Sequence, residues 1–268
     1  MISIGGYSIA ACLHAVGTVL LYLSKGELPN QRLVTMNLAI AEMLFCLLVV
    51  IYHIVDSMRL LQTPAYIISM HYFILSLFCS IRFAILHIIV DRFLNIWLHL
   101  KYPLYFNRKT LIKTIILEWI LSLFVAFVVV LLLNFRVKYT SIFARLFLDL
   151  MIIIVALATF VYLFVKVKEA IYGNLPQQNR QYRSSQVWFK LKIPVLMVAT
   201  YIAFNTSSSI LYARNKQGIA FIVLDIFGWW SDAFIYILLQ KSVRRMLFSC
   251  CWRKNRNQVE DTCMTTIA

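Results

Sequence analysis

Charged side chains are scarce in this chain. Asp, Glu, Lys and Arg make up 14% of its 268 residues, where a soluble domain carries about 25%. So few polar groups cannot cover the surface of a soluble two-domain enzyme of this length. Glycine, with 7 residues, and proline, with 5, are also few, so collagen-like and low-complexity readings fall away. Histidine is limited to His14, His53, His71, His87 and His99. These are scattered without metal-ligand spacing, and no nucleophile–base constellation accompanies them, so no enzyme chemistry is expected. The cysteines are Cys12, Cys46, Cys79, Cys250, Cys251 and Cys263. None falls in a segment expected to face outward, so no structural disulfide is expected. No internal repeat is visible, which weakens a transporter of duplicated halves.

What the chain has is apolar length. Hydrophobic residues make up 62% of it and its mean hydropathy is +0.79. A helix needs about 20 apolar residues to cross a bilayer. Seven stretches qualify, at 5–24, 33–57, 64–98, 110–133, 142–172, 186–212 and 218–240. Each is a continuous run without the strand alternation of a membrane β-barrel. The expected fold is an all-α membrane protein, a seven-transmembrane helix bundle. The first stretch starts almost at Met1 and lacks a basic leader, so a full span is expected there and no cleaved signal. Beyond the last span, Val243, Leu247 and Phe248 share one helical face while Arg244 and Arg245 lie elsewhere. Residues 241–252 therefore read as a short amphipathic interfacial helix, followed by a disordered cytoplasmic tail over 253–268.

Charge sign gives the orientation. The 26 Lys and Arg against 11 Asp and Glu leave a formal net charge of +15. In a soluble protein that excess would suggest nucleic acid. Here most of the basic residues fall between spans on one side, in 101–113, 166–192 and 241–256, with fewer on the other, at Arg59, Arg136, Lys138, Arg145, Arg214 and Lys216. This asymmetry places the amino terminus outside and the carboxyl terminus in the cytoplasm. The expected setting is the lipid bilayer of the plasma membrane, with no nucleic-acid partner. The outer basic residues, Arg145 among them, read as solvated loop charge. Cys250 and Cys251 sit beside the membrane in a basic context and are candidates for palmitoylation, with free thiols as the alternative.

Charges inside spans are costly and mark function. They are Glu42, Arg82, Asp91, Arg92, Glu118, Asp149, Asp225 and Asp232. Glu118 and Asp149 lie close enough to span ends for ordinary snorkelling to account for them. Glu42 and Asp232 lie well inside, with Asn37 and His14 as expected neighbours.

Several motifs stand in order along these spans. The second span reads Asn37-Leu38-Ala39-Ile40-Ala41-Glu42 and the third ends Asp91-Arg92-Phe93-Leu94-Asn95-Ile96, followed by Lys101-Tyr102. Trp119 is in the fourth, and the seventh carries Asp232-Ala233-Phe234-Ile235-Tyr236. Together these resemble the rhodopsin-like G-protein-coupled receptors, whose motifs are N-L-A-x-A-D, D-R-Y-x-x-I, a single Trp in the fourth span and N/D-P-x-x-Y. The resemblance covers nearly the whole chain. It implies an activation switch of Asp91, Arg92, Phe93, Tyr162, Asp232 and Tyr236. In the resting state Arg92 would pair with Asp91, and on activation it would move toward Tyr162, Tyr236 and a heterotrimeric G protein. It also implies that Glu42 and Asp232 lie together at the site where many relatives hold Na⁺, and two carboxylates so close would share a proton or bind a cation.

The departures from the family are equally specific. No Cys lies near the start of the third span or in 134–141, so the usual outer disulfide is missing. The sixth span lacks F-x-x-C-W-x-P, and its one proline is Pro194. The fifth span has no proline. Asn205-Thr206-Ser207 reads as a sequon, but within the span, so no glycan is expected there. These losses look most like the melanocortin and cannabinoid branch. Ile74 stands where amine receptors carry an acid, and Asp225 where opsins carry the retinal Lys. A peptide or lipid is therefore expected as the extracellular ligand in preference to an amine or retinal.

The expected pocket lies between the third, fifth, sixth and seventh spans. Its polar floor would be Arg82, Asp149 and Asp225, with Arg82 and Asp225 paired, below His53, Asp56, His71 and Tyr72. Aromatic residues nearby read equally as bundle core. Two further functions compete with the receptor: a proton- or ion-linked carrier, and a receptor-like scaffold without signalling. The terminal Thr266-Ile267-Ala268 is a candidate strand for a PDZ domain.

Overall fold

A computed structural model describes residues 2–23, 29–58, 63–98, 102–134, 140–172, 195–196, 198–213, 218–239 and 243. The described residues are helical throughout apart from short turns, with no strand among them. In order the helices are α1 (Ile2–Leu23), α2 (Pro29–Ser57), α3 (Pro64–Leu98), the short α4 (Tyr102–Tyr105), α5 (Arg108–Asn134) and α6 (Thr140–Tyr172). A π-helical segment (Tyr201–Thr206) then leads directly into α7 (Ser207–Ala213), and α8 (Ile219–Leu239) follows.

Where lipid replaces water, the backbone must satisfy its own hydrogen bonds, and a continuous apolar run does so only as a helix. Polar residues mark the ends. The Thr63 hydroxyl accepts the Tyr66 N–H at 3.4 Å at the start of α3, whose first residue is Pro64. The Asn107 side chain accepts the Thr110 N–H at 2.9 Å at the start of α5. Both are N-cap arrangements, and a proline in the first turn lacks only an N–H that would have no partner there.

Among the described residues, five helices are long and apolar enough to cross a membrane: α1, α2, α3, α5 and α6. The expected stretch at 186–212 is described only from residue 195, where it is helical and contains the π segment. The expected stretch at 218–240 corresponds to α8, of 21 residues. The amphipathic helix expected at 241–252 lies outside the described residues except for the buried Val243. The tail at 253–268, with its PDZ candidate, lies outside them too, as do Cys250 and Cys251 and most of the basic stretch 166–192.

The helices form one bundle with α3 at its centre. α3 packs on α2, α5 and α6, while α1 packs on α2 and α8, and α7 bridges α6 and α8. Of the most apolar window of α3, 56% is buried, against 17% for α5 and for α6, so those two present most of their surface to lipid. Ile116, Ile120, Phe124 and Phe127 on α5 are exposed in this way.

Between apolar helices in lipid, close packing and hydrogen bonds hold the assembly, because burial from water contributes little there. Small residues accordingly sit at the contacts: Ala10, Ala39, Ala41, Ala84 and Ala233 are fully buried. Gly6 is the tightest approach. A Cβ there would lie 2.3 Å from Ile226 Cδ1, so glycine lets α1 and α8 meet. The Trp230 indole N–H donates to the Gly6 carbonyl at 3.1 Å across the same contact.

Candidate functional site

Most of the intramembrane charges form a polar column beside α3. At one level Arg82 of α3 is 1% exposed and its Nε donates to Asp149 Oδ1 of α6 at 3.3 Å. The Tyr201 hydroxyl, from the first residue of the π segment, donates to the same oxygen. Ser209 Oγ of α7 lies 2.7 Å from Asp149 Oδ2. The guanidinium stacks over the Phe78 ring at 3.8 Å and faces the Tyr201 ring at 5.0 Å.

A second ion pair joins this one. Arg145 Nη2 of α6 lies 3.5 Å from Asp225 Oδ1 of α8, and Arg145 Nε donates to Ser209 Oγ at 2.8 Å. Asp225 also accepts from Ser208 at 3.3 Å, from the Trp229 indole at 3.2 Å and from the Tyr7 hydroxyl of α1. Its oxygens are therefore fully engaged. A buried carboxylate survives in an apolar interior only with such partners.

Three expectations change here. Arg82 pairs with Asp149, and Asp225 with Arg145, in place of the expected Arg82–Asp225 pair. The reason is helix adjacency, since α3 packs directly on α6 and α7 places its serines between α6 and α8. Asp149 is 1% exposed and bonded on both oxygens, so snorkelling does not account for it. Arg145 is only part-exposed and its guanidinium points into this cluster, where the sequence suggested solvated loop charge.

The π segment is a feature the sequence reading missed. It places Tyr201 and Asn205 in the buried interior, and π turns often mark functional positions. The Asn205 side chain lies over Gly228 of α8, where an added Cβ would sit 3.3 Å from its Oδ1. Asn205 is 1% exposed, which agrees with the expectation that this sequon carries no glycan. The visible signal was the polar run Asn205-Thr206-Ser207-Ser208-Ser209 inside an apolar stretch.

The next level holds Glu42 of α2, Asp232 of α8 and His14 of α1, all buried. The Glu42 and Asp232 side chains lie close enough to act on each other electrostatically. His14 Nδ1 lies 3.2 Å from Glu42 Oε2. Two carboxyl groups this close either share a proton or hold a cation between them. Among the described residues, no group of three or more His, Cys, Asp or Glu is placed to hold a metal ion.

Asn37, expected beside Glu42, faces elsewhere. It accepts the Trp119 indole N–H at 2.9 Å and donates to Glu118 Oε2 at 3.3 Å. Glu118 also pairs with His87, and these two side chains are 13% and 10% exposed. Glu118 thus belongs to a polar contact between α2, α3 and α5, and does not snorkel.

At the carboxyl-terminal end of α3, Asp91 accepts the Tyr102 hydroxyl of α4. Arg92 is half-buried and close enough to Tyr102 to act on it electrostatically. Burial, and then the bond to Asp91, push the Tyr102 hydroxyl above its usual pKa, so it stays a neutral donor. Phe93 meets Tyr162 of α6 edge to face, 5.1 Å between ring centres. The Tyr236 side chain lies outside the described residues.

The remaining pocket residues are not part of this column. Asp56 and His71 are exposed. The His71 ring bonds the Ile67 carbonyl one turn back, at 2.8 Å. The Tyr72 hydroxyl reaches the Leu123 carbonyl at 3.4 Å. His53 stacks on Tyr7 at 6.4 Å and so touches the Asp225 cluster indirectly. A groove of 370 Å³ lies between α3 and α5, lined by Ile68, Ser69, Tyr72, Phe73, Phe127, Val130 and Leu131. It includes none of Arg82, Asp149 and Asp225.

Neither the protein-family models nor the curated proteins contain a match to this chain.

Proposed function

We propose that this chain is a receptor of the rhodopsin-like G-protein-coupled kind. It sits in the plasma membrane with its amino terminus outside. Its seven spans are the five apolar helices together with α8 and the helix through 198–213. It passes binding of an extracellular ligand to a heterotrimeric G protein through Asp91, Arg92 and the neighbouring loops.

One observation carries this reading: the buried polar column runs along α3 from Arg82 to the Asp91–Tyr102 contact, and α6, the π segment and α8 each contribute to it. Ion pairs and hydrogen bonds that join several helices have discrete arrangements, and a ligand that favours one arrangement shifts the population of the whole bundle. Phe93 against Tyr162 connects the Arg92 end of α3 to α6, the helix that holds Asp149 and Arg145. The test is nucleotide exchange on G proteins in cells expressing the wild type or Arg92→Ala. Exchange that disappears with Arg92 supports the receptor, and no exchange in either overturns it.

A specific observation supports a second reading, the proton-linked carrier. Glu42 and Asp232 face each other within the bundle beside His14, a pair able to share a proton. Proton relays in transporters use such groups. Solute flux that depends on Glu42 would favour it.

A further inference from the structure

Arg82 uses only one of the three nitrogens of its guanidinium in hydrogen bonding among the described residues. Its Nε bonds Asp149, but Nη1 and Nη2 are buried and have no hydrogen-bond partner among the described residues. The whole side chain is 1% exposed. A guanidinium presents its donors in a planar fork that matches two coplanar oxygens. Leaving both terminal nitrogens desolvated is costly, and a group that satisfied them would recover that cost on binding.

The surrounding groups exclude other ligand chemistries. Asp225 is engaged on both oxygens by Tyr7, Trp229, Ser208 and Arg145, and Asp149 by Arg82, Tyr201 and Ser209. An amine entering here therefore finds its carboxylates already occupied. What the site offers are donors, flanked by the flat faces of Phe78 and Tyr201.

We propose that Arg82 Nη1 and Nη2 are the seat for the carboxylate of a small organic acid. This rests on the receptor reading and names the ligand class for it. The acid binds bidentately to the fork, and its apolar body takes the place of the Tyr201 ring. Tyr201 is the cover: it is held over Arg82 by its hydroxyl bond to Asp149 and stands at the first residue of the π segment. The ligand's arrival is thus transmitted to the helix carrying Asn205, Ser208 and Ser209.

The experiment uses the purified full chain in lipid nanodiscs. Thermal unfolding is followed against acetate, octanoate and benzoate, each beside its neutral amide, so that only the carboxylate differs. At least one acid is expected to stabilise the wild type while its amide does not. Arg82→Lys keeps the positive charge but lacks the fork, and is expected to bind that acid about 10- to 100-fold more weakly. Arg82→Gln should lose it altogether. If Arg82→Gln does not fold, the Arg82→Lys and amide comparisons decide. Equal shifts from acid and amide, no shift from any acid, or unchanged binding in Arg82→Lys each overturn the proposal. The readout involves no G protein. Failure here with Arg92-dependent exchange intact removes the ligand class and leaves the receptor standing. Acid binding without any exchange does the reverse.

Discussion

The Tyr7 hydroxyl donates to the Asp225 carboxylate across 218 residues of sequence. Together with the Trp230–Gly6 bond it ties α1 to α8 and closes the bundle around α3. It also passes through the site, because Asp225 is the partner of Arg145 and Trp229. Tyr7→Phe removes the donor while keeping the ring. It is expected to cost about 1–2 kcal/mol, the upper range for a side-chain hydrogen bond between helices in lipid. Thermal unfolding of Tyr7→Phe, Asp225→Asn and the double variant would show a coupling energy. Strict additivity would mean the bond is not made.

Arg82→Ala leaves Asp149 buried with its positive partner gone. Both side chains are almost fully enclosed, at 1% and 2% exposure, so solvent cannot compensate. The expected loss is about 3–5 kcal/mol, because removing one member of a buried pair strands the other. Replacing both, as Arg82→Met with Asp149→Leu, should recover most of that stability. Unfolding measured in detergent would decide, and a double variant as unstable as Arg82→Ala would contradict the pairing.

Gly6 is required by geometry. Gly6→Val places atoms within the volume of the Ile226 side chain, 2.3 Å from a built Cβ, and overpacking of this kind costs about 1–3 kcal/mol. Ile226→Ala in the same chain should relieve the clash and restore part of the stability. A destabilised Gly6→Val that Ile226→Ala does not rescue would place the cause elsewhere.

Tyr102 supplies a pH dependence outside the spans. Its hydroxyl is held above the ordinary value of 10.0 by burial and by its bond to Asp91. A raised pKa on an acid means that the fold favours the neutral form. The stabilisation is therefore complete below pH 10 and is lost as pH rises further. The wild type should lose stability more steeply above pH 10 than Tyr102→Phe does, with the two curves parallel below it. Parallel curves throughout would remove the bond.

Helix positions were largely legible in the sequence, because apolar length alone specifies them. The expected 64–98 coincides with α3, and α1, α2, α5, α6 and α8 begin and end within a few residues of expectation, while the short α4 was not expected. The buried charges were legible as well, since a charge in an apolar run is conspicuous. Their partners were not. Tyr7 and Asp225 meet only because α1 packs on α8, a fact of topology that no local pattern carries. Arg145 was assigned to solvent because it follows outer basic residues in the chain, yet one turn of α6 brings it level with Asp149. The π segment was hidden because its signal, a polar run without proline, is shared with ordinary helix. Asn37 was grouped with Glu42 by proximity along α2, but it faces Trp119 and Glu118 instead.

Receptor and carrier separate most directly in one preparation. The purified chain is reconstituted into vesicles, and guanine-nucleotide exchange on added G protein is followed alongside proton and solute flux. The account predicts exchange that is lost in Arg92→Ala, with no flux in either the wild type or Glu42→Gln. Flux that depends on Glu42, with no exchange on any G protein, would contradict it.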